Sequence, residues 1–119
     1  MRLIKSFGYA IAGIAEAARK ERNLRIHLII GTAVIALAFF FSITATEWLF
    51  ILFAIGGMIS LELMNSAIER AVDLSTEEFH PLAKQAKDMA AGAVLVFACL
   101  SVIIGLIIFW PRLAGMPGL

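Results

Sequence analysis

Glu62, Asn65, Glu69 and Asp73 fall within twelve residues, in the stretch SLELMNSAIERAVD, directly after the apolar run WLFILFAIGGMI. Charge is expensive at membrane depth, so carboxylates in such a place face a protein interior or a wet cavity. On a helix the four side chains share a stripe about 80° wide, and Glu62 to Asp73 covers roughly 16 Å along the axis. Leu61, Ile68 and Val72 lie away from that stripe. Closely spaced carboxylates repel one another and call for a cation. Oxygen ligands with no His or Cys cluster nearby suit a hard ion such as Mg²⁺. That ion takes one or two protein carboxylates and completes its shell with water and phosphate. A carboxylate deeper in the apolar part is a candidate to accept a proton from an alcohol. Lys84, Lys87 and Asp88, in AKQAKDM, stand at the mouth of the next apolar run, where a Lys can neutralise phosphate oxygens. Glu21, in RKERN, adds a carboxylate among cations. Metal-holding carboxylates, a buried base and a phosphate-binding Lys are the parts of phosphoryl transfer to a lipid alcohol. No P-loop and no protein-kinase signature is present.

The elements that must position these residues are membrane helices. The chain has 119 residues, 61% hydrophobic and only 16% charged, with a mean hydropathy of +0.94. A soluble domain is nearer half apolar and a quarter charged. These values imply an all-α membrane protein folded as a single domain over residues 1–119. A net charge of +1 speaks against a nucleic-acid partner. Cys99 is alone, so it forms no intrachain disulfide, and it is expected as a packed thiol. No cleavable signal peptide is expected. Three spans are read at about 26–43, 47–72 and 89–110, since a crossing needs roughly 20 apolar residues. The middle one reaches that length only by including its polar face, so part of it is expected to be buried against protein.

Lys and Arg set the orientation. Six precede the first span (Arg2, Lys5, Arg19, Lys20, Arg22, Arg25), and Arg70, Lys84 and Lys87 lie around the second connection. The first connection has none, and the tail has Arg112 alone. The N-terminus and the acidic stripe are therefore expected on the cytoplasmic side and the C-terminus outside, with Trp48 and Trp110 at the outer interface. Residues 1–22 read as an amphipathic helix on the membrane surface, with Leu3, Phe7, Ala10, Ile11, Ile14 and Ala18 on one face. The alternative is a solvated helix packed on the bundle. The tail PRLAGMPGL is expected to fray.

LELMNSAIERAVD followed by EFHPLAKQAKDMAAGAVL resembles the signature of the prokaryotic diacylglycerol kinase family of small integral membrane lipid kinases. The matching positions are Glu62, Asn65, Ser66, Ala67, Ile68, Glu69, Val72 and Asp73. The resemblance extends to KSFGYAIAG in the surface helix. It implies a helical bundle of three transmembrane helices and one surface helix per chain. It also implies a homotrimer with active sites shared between chains at the boundary between membrane and cytoplasm, in the inner (cytoplasmic) membrane of a bacterial cell. The family's roles carry over by position. Glu62 matches the general base and, with Arg2, lies at the lipid substrate. Glu21 and Glu69 match the carboxylates that hold Mg²⁺ on ATP. Arg2, Tyr9, Glu78, Phe79, His80, Lys87 and Asp88 match positions near the nucleotide, and Asn65, Ser66 and Asp73 are further motif residues. KERNLRIHLI looks like the Gram-positive-type branch, which implies undecaprenol as the acceptor, with diacylglycerol as the alternative.

Each assignment has a plainer counterpart. Glu62 could make a structural interhelical hydrogen bond, and Asp73 could be a helix-end charge. Glu77 and Glu78 are read as first-turn charges after a Ser75 or Thr76 cap. His27 is read as interfacial. Gly31, Gly56, Gly57 and Gly105 are read as permitting close helix approach. A small transporter using Glu62 as a relay is a more distant alternative. It lacks polar residues leading onward through the membrane.

Overall fold

The computed structural model describes residues 1–115, and these form four helices. They are α1 (Arg2–Lys20), α2 (Arg22–Phe40), α3 (Ala45–Ser75) and α4 (Pro81–Leu113). The last three are long and apolar enough to cross a membrane, so the chain is a multi-pass membrane protein. No strand occurs among the described residues. Helices are what an apolar solvent demands, because each backbone N–H and C=O must find its partner within the segment.

The breaks have local causes. Glu21 adopts an extended conformation between α1 and α2. The carbonyls left open at the end of α1 are filled by the Arg25 guanidinium, which donates to Ala18 O at 3.1 Å and Arg19 O at 2.8 Å. Between α2 and α3, Ser42 turns the chain at φ +50°. Thr44 and Glu47 then close a reciprocal capping box on α3, each side chain accepting from the other's backbone N–H. The same Glu47 carboxylate receives Arg112 of α4 through two bonds of 2.8 Å, which ties the start of α3 to the end of α4.

The connection from α3 to α4 corrects an expectation. Ser75 closes α3 and Thr76 is its C-terminal cap, so Glu77 and Glu78 are loop residues. The cap of α4 is His80, whose Nδ1 accepts from Leu82 N–H at 3.1 Å, with Pro81 as first helical residue. Pro111, Arg112 and Leu113 continue α4 where fraying was expected. The remainder of that expectation, residues 116–119, lies outside the described residues.

α3 is the organising helix. It packs against each of the other three, while α2 and α4 flank it without backbone contact between them. Its buried stripe is Ile51, Ala54, Met58, Glu62 and Ser66, one side chain every turn. Ala38, Ile43, Ile108 and Phe109 complete an apolar cluster at the Ile51 end. Small residues admit the neighbours at two places. A Cβ at Gly31 would meet Ile55 at 3.1 Å, and one at Gly57 would run into the Phe97 ring. Gly56 and Gly105 face open space, so the expectation of close approach holds at Gly31 and Gly57 and fails at the other two. Cys99 is exposed on an outward face of α4 rather than packed.

At 1.5 Å per residue, α3 and α4 are about 47 and 50 Å long, against roughly 30 Å of bilayer hydrocarbon. Both must project beyond it. Most of their charge (Glu69, Arg70, Asp73, Lys84, Lys87 and Asp88) lies toward one end of the pair, in the last turns of α3 and the first turns of α4, with Glu47 and Arg112 paired at the other. α1 leans on α2 and α3 alone, with Ala17 as its buried residue.

Gly57→Val should force the Phe97 ring off α3 and lower the thermal unfolding midpoint in detergent. Overpacking of this kind costs about 1–3 kcal/mol. Adding Phe97→Ala should recover part of the loss, and no recovery would place the defect elsewhere.

Candidate functional site

Glu62 is only 4% exposed and Ser66 equally so, which puts the inner members of the acidic stripe against protein. Helical spacing explains this, because Glu62 follows Met58 by four residues on the packed face. The group facing it across the helix pair is His27 of α2, its Nε2 3.3 Å from Glu62 Oε1. The sequence reading left His27 as an interfacial residue. Its side chain is three-quarters buried and packs against Glu62. The contact is nonlocal, and the available signal was that a carboxylate buried in an apolar run needs a partner.

His27 also forms part of the wall of an apolar groove of about 290 Å³ between α2 and α4, floored by α3. Met58, Ala98, Val102, Gly105 and Phe109 are among its other walls. Ser101 Oγ is buried beside it without a hydrogen-bond partner.

One turn beyond Glu62, Asn65 Nδ2 donates to Glu69 Oε1 at 3.5 Å. Asn65 Oδ1 is buried and has no partner. Next to Glu69, Arg70 reaches across to Glu21 at the α1–α2 break, 3.1 Å away. The extended backbone at Glu21 thus presents its carboxylate to Arg70 of α3. No group of three or more His, Cys, Asp and Glu side chains that could hold a metal occurs among the described residues.

Further along, Asp73 Oδ1 meets Lys87 Nζ at 2.5 Å, bridging α3 and α4. Asp88 lies on the other side of Lys84, which it contacts at 2.5 Å within α4. A cavity of about 400 Å³ opens here, and Asp73, Glu78, Phe79, His80, Lys84 and Lys87 are among its walls. Thr76 braces the loop, its Oγ1 accepting from Glu78 N–H at 3.2 Å.

The structure therefore sorts the candidates into three places. Glu62, Ser66, Asn65, Glu69 and, through Arg70, Glu21 line the inner turns of α3. Asp73, Glu78, Phe79, His80 and Lys87 surround the outer cavity, with Asp88 just outside it. Arg2 and Tyr9 sit near the start of α1, which has no contact with α4, and Tyr9 is 74% exposed. Arg70 and His27 contact these candidates without having been singled out as site residues, and Lys84, read with Lys87 as a candidate phosphate-neutralising cation, is among the walls of the outer cavity.

Chemically, the arrangement places an apolar groove, a buried carboxylate and imidazole, a set of oxygen ligands with an unfilled acceptor, and a polar cavity walled by both carboxylates and lysines in succession along the α3–α4 pair.

Comparison with known proteins gives the following. The family model described as prokaryotic diacylglycerol kinase matches residues 8–109. An undecaprenol kinase of Bacillus subtilis is 54% identical over 112 residues, covering 94% of this chain and 91% of that protein. A diacylglycerol kinase of Synechocystis is 41% identical over 115 residues, covering 96% of this chain and 66% of that protein. A diacylglycerol kinase of Escherichia coli is 30% identical over 109 residues, covering 92% and 89%.

The Asp73–Lys87 bridge lies largely in water, and such pairs contribute at most about 1 kcal/mol. Asp73→Asn should leave the unfolding midpoint in detergent within a few degrees of the parent. A large drop would make Asp73 a structural residue.

Proposed function

The chain belongs to the prokaryotic diacylglycerol kinase family and is a kinase, and on that premise we propose that it transfers the γ-phosphoryl group of ATP to the hydroxyl of undecaprenol, giving undecaprenyl phosphate. The observation that carries this reading is that the α3–α4 pair joins a groove suited to an apolar chain to an outer polar cavity where Lys84 and Lys87 are available to phosphate. Undecaprenol is favoured over diacylglycerol by the higher identity to the undecaprenol kinase, 54% against 41% and 30%.

In this reading ATP enters the outer cavity, with Lys87 neutralising phosphate oxygens and Glu78, Phe79 and His80 near the nucleoside. Lys84 adds a second cation there, and Asp88 holds Lys84. The lipid lies along the apolar groove with its hydroxyl toward the Glu62–His27 pair, which takes up the proton. Glu69 and Glu21 are the residues that would hold Mg²⁺. The orphaned, buried Asn65 Oδ1 beside Glu69 fits the oxygen-only donor set of that ion. Mg²⁺, when bound, neutralises charge that develops on the transferring phosphoryl group. Ser66 packs the turn between base and metal ligands.

We further propose a homotrimer whose sites are completed between chains. Arg2 and Tyr9 belong to the site only if α1 of one copy lies against the α3–α4 end of another. The exposed face of Leu3, Phe7, Ile11 and Ile14 suits α1 for the membrane surface. Six Lys and Arg before the first span favour a cytoplasmic N-terminus and site in the inner membrane, and an outer C-terminus.

Purified protein with labelled ATP and Mg²⁺ should phosphorylate undecaprenol in preference to diacylglycerol in the same micelle, by about tenfold or more in kcat/KM. Preference for diacylglycerol would reassign the acceptor, and inertness toward both would reject the lipid-kinase reading. Glu69→Gln should lower turnover about 10²-fold or more at fixed magnesium, with the assembly intact, because a metal contributes several kcal/mol of charge stabilisation. Near-parental activity at ordinary magnesium would remove Glu69 from the ligand set.

A further inference from the structure

We infer that Arg70 is a positioning residue for the metal site: its guanidinium holds the Glu21 carboxylate to α3 and orients it for the cation. The inference rests on the reading of Glu21 as a Mg²⁺ ligand and deepens it.

Glu21 is a joint of the chain rather than part of a helix. Its backbone is extended (φ −102°, ψ 111°) between α1 and α2, and its N–H donates to Ala17 O at 2.7 Å. A side chain at such a joint takes no direction from helical geometry. Cations surround it in sequence, in RKERNLR. Those nearby cations are engaged elsewhere: Glu16 receives Arg19 and Lys20, and Arg25 donates to the carbonyls of Ala18 and Arg19. The cation that meets Glu21 comes from far along the chain. It is Arg70 of α3, with Nη2 3.1 Å from Glu21 Oε1.

Both side chains keep much of their contact with water, 47% exposed for Arg70 and 30% for Glu21. An ion pair this wet adds little to stability, so its effect is on direction. Arg70 directly follows Glu69, and the two share one turn of α3. A carboxylate from the α1–α2 joint is thereby tied to the turn that carries the other proposed ligand. A guanidinium suits this task, being planar and always charged. Among the described residues, Oε2 of Glu21 receives no hydrogen bond. One oxygen is thus held and the other is left for a cation. Carboxylates that ligate metals are commonly held by such an outer contact, and its loss lowers metal affinity about 10- to 100-fold. A guanidinium that acted only as a neighbouring positive charge would do the reverse, since its removal would favour the ion.

The test uses the full-length protein in micelles with a non-hydrolysable ATP analogue. Mn²⁺ is the probe, because it prefers the same oxygen ligands, and its binding is read by electron paramagnetic resonance. Arg70→Gln should weaken Mn²⁺ about 10- to 100-fold, with the unfolding midpoint of the metal-free protein unchanged. In turnover the magnesium requirement should rise by a similar factor, while kcat at saturating magnesium stays near the parent's. Arg70→Lys keeps the charge and should recover most of the affinity. Glu21→Gln should weaken Mn²⁺ at least as much, and adding Arg70→Gln to it should change nothing further, because Arg70 acts through Glu21. Unchanged or tighter Mn²⁺ binding in Arg70→Gln overturns the inference while leaving Glu21 a ligand. A full further loss in the double variant also overturns it. So does a lowered unfolding midpoint in Arg70→Gln with no recovery of affinity in Arg70→Lys, which makes the pair a structural tie. Parental Mn²⁺ affinity in Glu21→Gln removes Glu21 from the ligand set, and the assignment of Arg70 falls with it.

Discussion

A carboxylate placed in the apolar part of a membrane helix has to be enclosed by protein, and Glu62 is enclosed. Leaving a charge in hydrocarbon costs several kcal/mol on any scale. Glu62 avoids this by lying on the same face as Ile51, Ala54 and Met58, where α2 and α4 flank α3. The packing of the bundle and the shape of the site are thus set by one stripe of side chains. α2 must come close enough to bring His27 to 3.3 Å, and Gly31 against Ile55 permits that approach. α4 must come close enough to roof the other side, and Gly57 beneath the Phe97 ring permits that. Lipid gives helices no hydrophobic reason to associate, so close contact of this kind is a main source of cohesion.

The length of α3 does the second part of the work. A helix about 47 Å long cannot be contained in roughly 30 Å of hydrocarbon. Its far end emerges together with the start of α4, and there Asp73, Lys84, Lys87 and Asp88 find water. The α3–α4 pair therefore carries both the walls of an apolar groove and charged groups in water. Their separation is fixed by helical rise. At the opposite end, Glu47 and Arg112 pin α3 to α4 where the pair is again charged. With both ends tied, the register of the two helices is set, and so is the position of Lys87 relative to Asp73.

Much of this was legible in the sequence, because it depends on local patterns. Apolar runs marked three crossings, and the stripe from Glu62 to Asp73 followed from 100° per residue. The need to bury the middle span followed from its excess of charge. The misses came from two sources. Some are contacts between residues far apart in the chain: His27 with Glu62, Glu21 with Arg70, and Glu47 with Arg112. No spacing rule reports them. Others are local signals weighed wrongly. Pro81 is the natural first residue of a helix, and His80 before it makes a cap. Ser75 and Thr76 were read as capping α4, although the pattern of α3 runs on to Ser75. Gly56 and Gly57 looked equivalent in sequence. One faces open space and the other an aromatic ring, a difference set by which face α4 occupies.

The single chain also leaves a geometric remainder. Its four helices form a flat body with extents of 55 × 41 × 21 Å, and α1 contributes little to its packing. An apolar face on α1, an outer cavity open to water, and Arg2 and Tyr9 remote from that cavity are three consequences of the same shortage of protein. Four helices with one at the periphery cannot surround both a lipid chain and a polyphosphate. A peripheral helix that is apolar on one face can lie on the membrane surface and still reach a neighbouring copy. Each copy would then supply the wall that another lacks, and the site would be complete only in the assembly. The buried pair, Glu62 with His27, is built by one chain's own packing. The outer cavity at the far end of α3 is open and leaves room for a neighbour.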